Sequence, residues 1–161
     1  MNQNKNEKIL TKIHACVVGG EEQIQSRVSW STNPAEVGKI LGTFPAEYSV
    51  HLVNESANDL VGVSVFTGGS ASSDEKLIEL NRTQKEYGPL KKGEALLLET
   101  LDYGLLDFVL WYELTMMFAD GSDIKASFAI LKAYALREDI YRHSPILNQK
   151  AYHFDLERME K

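Results

Sequence analysis

The stretch Leu105–Phe118, LLDFVLWYELTMMF, decides the fold. Read as an extended chain, it puts Leu106, Phe108, Leu110, Tyr112, Leu114, Met116 and Phe118 on one face. Asp107, Val109, Trp111, Glu113, Thr115 and Met117 fall on the other. A helix would scatter Asp107 and Glu113 among these apolar residues with no clean stripe, so the strand reading wins. Asp120-Gly121 separates this strand from DIKASFAIL, where Ile124, Ala126, Phe128 and Ile130 alternate with Asp123, Lys125 and Ser127. An Asp-Gly pair between two alternating runs predicts a hairpin, because glycine takes positive φ at no steric cost.

The same period of two extends in both directions. EYSVHLVN (47–54) and LVGVSVFT (60–67) flank the polar turn NESAND, which predicts a second hairpin with a longer loop. EALLLETL (94–101) reads as a strand with leucines on both faces, and 151–156 as a last short one. LIELNRTQKEYG is ambiguous, with a short strand at Leu77, Ile78 and Leu80. GGSASSDE, Gly68 to Glu75, reads as a flexible loop by composition.

Upstream the period changes. Ile9, Leu10, Ile13, Cys16 and Val17 recur at helical spacing, with the β-branched Val17-Val18 pair favouring a competing strand. Asn33 as N-cap, Pro34 at the first helical position and Glu36 three residues after the cap predict a short helix ending near Gly42. The resulting expectation is a mostly β protein: an antiparallel immunoglobulin-like or fibronectin-like β-sandwich with a short N-terminal helical appendage. Its parts are a disordered tail (1–8), a helical segment packing on the sheet (9–45) and the sandwich domain (46–161). The paired cysteines and buried tryptophan of a true immunoglobulin domain are not present as a motif, so the comparison is one of architecture.

Composition narrows the function. The chain has 161 residues and a net charge of −6, from 17 Lys+Arg and 23 Asp+Glu. An acidic chain is poorly suited to a phosphate backbone, so nucleic acid is not an expected partner. The sequence has no apolar run of the length that spans a bilayer, so no membrane partner is expected either, and the expected location is the cytoplasm. One cysteine excludes an intrachain disulfide.

Candidate chemistry is sparse. His14, His51, His143 and His153 show no His-x-His spacing, so no metal and no cofactor is expected. His51 and His153 can meet only if their strands are neighbours; otherwise they are solvent-facing histidines. Cys16 has no evident base or pKa-lowering neighbour and reads as a small apolar residue facing the domain. Glu99 and Glu113 would oppose each other if strands 94–101 and 105–118 formed a hairpin, an arrangement that like charges disfavour. Thr67-Gly68-Gly69-Ser70 could offer amides to an anion, but a glycine pair after a strand reads better as an exit turn.

The oddest feature is the second face of the 105–118 strand. Val109, Trp111 and Met117 make it too apolar for an ordinary outer face. Either residues 9–41 cover it, or it is an interface. The expected function is therefore a non-catalytic protein–protein interaction or assembly module. Its surface comprises Val109, Trp111, Met117 and the end loop Gly68, Gly69 and Ser70, and its partner is a protein or a second copy in a dimer. The alternative is a small metal-dependent or acid/base enzyme using the scattered histidines and carboxylates.

Overall fold

The computed structural model describes residues 7–27, 41–73, 76–131, 135 and 138–159. Residues 7–10 are helical. The strands are β1 (Ile13–Gly19), β2 (Gln23–Arg27), β3 (Leu41–Pro45), β4 (Glu47–Asn54), β5 (Leu60–Ser73) and β6 (Lys76–Tyr87). They continue with β7 (Ala95–Asp102), β8 (Val109–Phe118), β9 (Asp123–Ile130), β10 (Arg142–Ser144), β11 (Gln149–Asp155) and β12 (Glu157–Arg158). The chain is mostly β, with two antiparallel five-stranded sheets. Sheet one runs β10-β11-β1-β4-β7 and sheet two β12-β9-β8-β5-β6, while β2 and β3 form a separate two-stranded ribbon. Among the described residues no helix is long and apolar enough to cross a membrane.

One apolar core joins the two sheets. It takes Ala15, Val17, Val50 and Leu52 from sheet one and Val63, Val65, Leu114 and Ile124 from sheet two. In β8 the alternation holds as expected: Leu110, Tyr112, Leu114, Met116 and Phe118 are buried. Each large side chain fully buried in this way contributes about 1.5–3 kcal/mol, enough for the two-residue period to dominate local propensity. The β8–β9 hairpin also forms. Gly121 has φ +87, and Asp120 Oδ1 accepts from the Ser122 amide at 2.9 Å.

Three expectations, the first, second and fourth below, require correction, and one pairing left open, the third, is decided. First, Ile13–Gly19 is a strand, not part of a helical appendage, and it lies between β4 and β11. Ile13, Ala15 and Val17 enter the shared core, whereas Cys16 and Val18 join a second cluster on the opposite face. The helical spacing reflects Ile9 and Leu10, which belong to the preceding helical turn and also enter the core. The helix expected after Asn33 lies almost wholly outside the described residues, as do six of the eight residues assigned to a tail; Leu41 and Gly42 belong to β3.

Second, β4 and β5 are not a hairpin. β4 pairs with β1 and β7, and β5 with β6 and β8, so residues 54–59 carry the chain between sheets. Asn54 organises that crossing. Its buried side chain donates to Asn58 O (2.9 Å) and Leu90 O (3.1 Å) and accepts from the amide and hydroxyl of Ser56. Four partners for one buried amide satisfy a group whose burial is otherwise costly.

Third, β7 and β8 lie in different sheets, joined by a 3-10 turn at Tyr103–Asp107. Fourth, Gly68 and Gly69 are not in a loop. β5 continues through them to Ser73, paired with β6 throughout and with β8 as far as Ser70. Local composition suggested a loop, but neighbouring side chains fill the space over the glycines and so stabilise the strand.

Candidate functional site

The outer face of sheet two carries the strongest concentration of unusual side chains. On β8 the outward residues include Val109, Trp111, Glu113 and Met117; Val109 is 42% exposed and Met117 37%. Opposite them on β5, Gly68 faces Trp111, Phe66 faces Glu113 and Ser70 faces Val109. A Cβ placed on Gly68 would lie 2.2 Å from the Trp111 ring, so the indole lies directly over this glycine. Gly69 serves the other face, where a Cβ would come within 2.9 Å of Leu80 and Leu110.

β6 adds a residue that the sequence did not single out. Thr67 is paired with Thr83 and Gly69 with Leu80, so Asn81 and Arg82 together oppose Gly68 alone. That two-against-one count is a β-bulge. The Arg82 guanidinium carbon lies 4.0 Å from the centre of the Phe66 ring and 4.3 Å from that of Trp111. Phe66 and Trp111 meet edge to face at 6.2 Å, and Arg82 Nη2 approaches Glu113 Oε1 at 3.5 Å. The result is a cation held by two aromatic rings and a carboxylate. At an exposed position such contacts contribute about 0.5–1 kcal/mol, so they order the patch more than they stabilise the fold.

Beside Trp111, the face runs into a groove of about 460 Å³, whose lining includes Trp111, Glu113, Phe128, Phe154, Asp155 and Glu157. The chain creates it by stepping from β11 in sheet one to β12 in sheet two, since β12 pairs with β9 at Ser127 and Ala126. The floor is rigid. Tyr112 and Phe128 stack at 4.5 Å, and Phe154 lies 5.9 Å from Phe128. Tyr112 donates to Glu99 Oε2 at 2.6 Å, and burial together with the Glu99 charge pushes its phenol pKa well up. Glu99 and Glu113 therefore serve different sheets and do not face each other.

Ile9, Leu10 and Ile13 do not cover the Trp111 face, because they are committed to the core. Val37 and Ile40 lie outside the described residues.

The outer face of sheet one collects the thiol–imidazole chemistry. β4 and β11 both flank β1, and Cys16 is in register with His51 on one side and His153 on the other. Two strand spacings put the histidine backbones about 10 Å apart, so they share a neighbour without meeting. Cys16 Sγ lies 3.6 Å from His153 Nδ1, and His14 Nε2 lies 3.3 Å from Glu55 Oε2. Burial, helped by the Glu55 charge, raises the Cys16 pKa to about 12, so the thiol stays protonated near neutrality. Burial also lowers the pKa of both His51 and His153. These half-buried rings are not the solvent-facing histidines expected. Val18, Val53 and Ala151 pack with Cys16, and Ile146 and Leu147 cover the cluster. Among the described residues no group of three or more His, Cys, Asp or Glu is placed to hold a metal ion.

Of the surface residues expected from sequence, Val109, Trp111, Met117, Gly68 and Ser70 share one sheet face, while Gly69 turns inward. Sequence reasoning missed Phe66, Arg82 and the groove residues Phe154, Asp155 and Glu157. Arg82 in an alternating run was a weak available signal, but the bulge that turns it onto Trp111 was not readable. Comparison with protein-family models finds no match, and a search of curated proteins finds no relative.

Proposed function

We propose that this chain is a non-catalytic protein-interaction module that docks a partner protein through the outer face of sheet two. The observation that carries this reading is the Phe66–Arg82–Trp111 stack over Gly68, bordered by exposed Val109 and Met117. Interface cores are rich in aromatic residues and arginine, and binding energy concentrates on such anchors. An ordered stack also loses less side-chain entropy on docking than mobile residues would. An immunoglobulin-like or fibronectin-like sandwich is the architecture that goes with this reading. Its support is the strand order β1-β4-β7 in one sheet and β9-β8-β5-β6 in the other.

The alternative, a metal-dependent or acid/base enzyme using histidines and carboxylates, has less to support it. Its nearest grouping is His14 Nε2 with Glu55 Oε2 at 3.3 Å beside the His153 ring, and among the described residues no group of three or more His, Cys, Asp or Glu is placed to hold a metal ion.

A second copy is the partner that can be tested at once. Light scattering over a concentration series on wild type and Trp111→Glu reads it directly. The self-associating version expects a dimer that the substitution dissociates. A monomer in both proteins sinks that version and leaves a different protein as the partner. If disulfide tethering from Ser127→Cys, Ser70→Cys and a sheet-one control position captures partner chains equally, the reading of this face fails.

A further inference from the structure

We propose that the groove beside Trp111 binds an arginine or lysine side chain presented by an extended segment of a partner protein. This rests on the interaction-module reading and specifies what the face recognises.

Three features of the groove support a cationic occupant. Its volume, about 460 Å³, falls within the range of ligand sites, roughly 300–1,000 Å³. Its walls include the aromatic rings of Trp111, Phe128 and Phe154, whose faces attract cations. Glu113, Asp155 and Glu157 supply carboxylates, and among the described residues no lysine or arginine lines it. Arg82 already rests on two of these wall residues, Trp111 and Glu113, and Arg158 Nη1 contacts Glu7 Oε1 at 2.8 Å, so Asp155 and Glu157 are the carboxylates left for an incoming cation. Asp155, 97% exposed, is approached by His14 Nδ1 at 3.9 Å, a distance that leaves its oxygens accessible. Charge complementarity thus selects a positive occupant, and the aromatic walls favour one with a planar or methylene-rich side chain.

The molecule already shows this recognition once. Arg82 meets Trp111 by its guanidinium and Glu113 by its Nη2, a ring-and-carboxylate pairing of the kind an incoming cation would make with Phe154, Asp155 and Glu157. An extended segment suits the site because the groove borders β9, where β12 pairs with Ser127 and Ala126 and a further strand could follow.

The probe is a short blocked peptide of alternating arginine and threonine, titrated into the full chain. Amide and indole NMR shifts of Ser127, Ala129 and Trp111 report binding. The glutamine counterpart should bind at least about tenfold more weakly, as expected when cation–π and charge-pair contacts are both lost. The Asp155→Asn/Glu157→Gln double variant should weaken the arginine peptide by about the same factor. Glu47→Gln/Asp102→Asn makes the same charge change on paired, exposed positions of sheet one and should leave binding within about twofold. Equal shifts from both peptides, shifts centred away from the groove, or equal weakening by the two double variants would overturn the proposal. None of these readouts depends on Trp111→Glu or on self-association, so the groove and the wider docking face fail separately.

Discussion

The two outer sheet faces are built on the same backbone pattern but present opposite chemistry. The sheet-one face places a thiol among imidazoles and then closes over it with Ile146 and Leu147. The sheet-two face displays aromatic rings and a guanidinium in contact with solvent, ordered by a glycine beneath Trp111. All four histidines lie on strands of sheet one, at positions 14, 51, 143 and 153. Reactive residue types therefore do not mark the candidate site. Cys16 is buried and His51 and His153 half-buried on one face, while ordinarily unreactive side chains become a recognition surface on the other.

The contrast breaks most directly at Gly68. A valine there must displace a rigid indole, so Gly68→Val should cost about 1–3 kcal/mol, read as a lowered urea midpoint with disordered Trp111 signals. An unchanged midpoint would mean that Trp111 is not seated on β5.

The cover on sheet one offers the next largest effect. Leu147→Ser removes part of the apolar lid over Cys16 and should cost about 1 kcal/mol. It should also speed reaction of Cys16 with a disulfide reagent at pH 8, which is slow while the thiol is buried and its pKa is raised to about 12. A wild-type thiol that already reacts like a free one would show that the lid is not closed.

Sheet one should contribute to acid sensitivity. His51 and His153 have folded pKa values below the ordinary 6.5, so the unfolded chain takes up protons first as pH falls through that value. Their contribution is present above pH 6.5 and is lost on acidification. At the alkaline end, the raised Cys16 pKa means stability falls as pH rises from 9 towards 12. Urea midpoints at pH 7.5 and 5.5 should differ, and His153→Gln should reduce that difference. A pH-independent midpoint would exclude the buried imidazoles as its source.

The smallest stability effect should accompany the largest functional one. Trp111→Glu removes an outward, half-exposed side chain and should cost less than about 1 kcal/mol while abolishing partner binding. A large stability loss would instead make Trp111 part of the core.

Sequence alone determined the features that a strict period of two dictates. The alternation through Leu110–Phe118 and Ile124–Ile130, with Asp-Gly between, specified two strands, their inward faces and their hairpin. The reason is that each side chain's face is set by its own position in an extended chain. It also singled out the outward Val109, Trp111 and Met117, because their apolar character conflicts with that same rule.

Tertiary structure decided everything that depends on which strand lies beside which. The β4–β5 and β7–β8 connections look like hairpins locally, yet each crosses between sheets, the first held by the buried Asn54 hub. β1 became a strand because β4 and β11 supply partners on both sides of it. The Gly68-Gly69 pair stayed extended because Trp111 on one face and Leu80 and Leu110 on the other fill the space its missing side chains leave. Arg82 met Trp111 only through a bulge. Such contacts join residues far apart in the chain, and their energy exists only once the strands have paired.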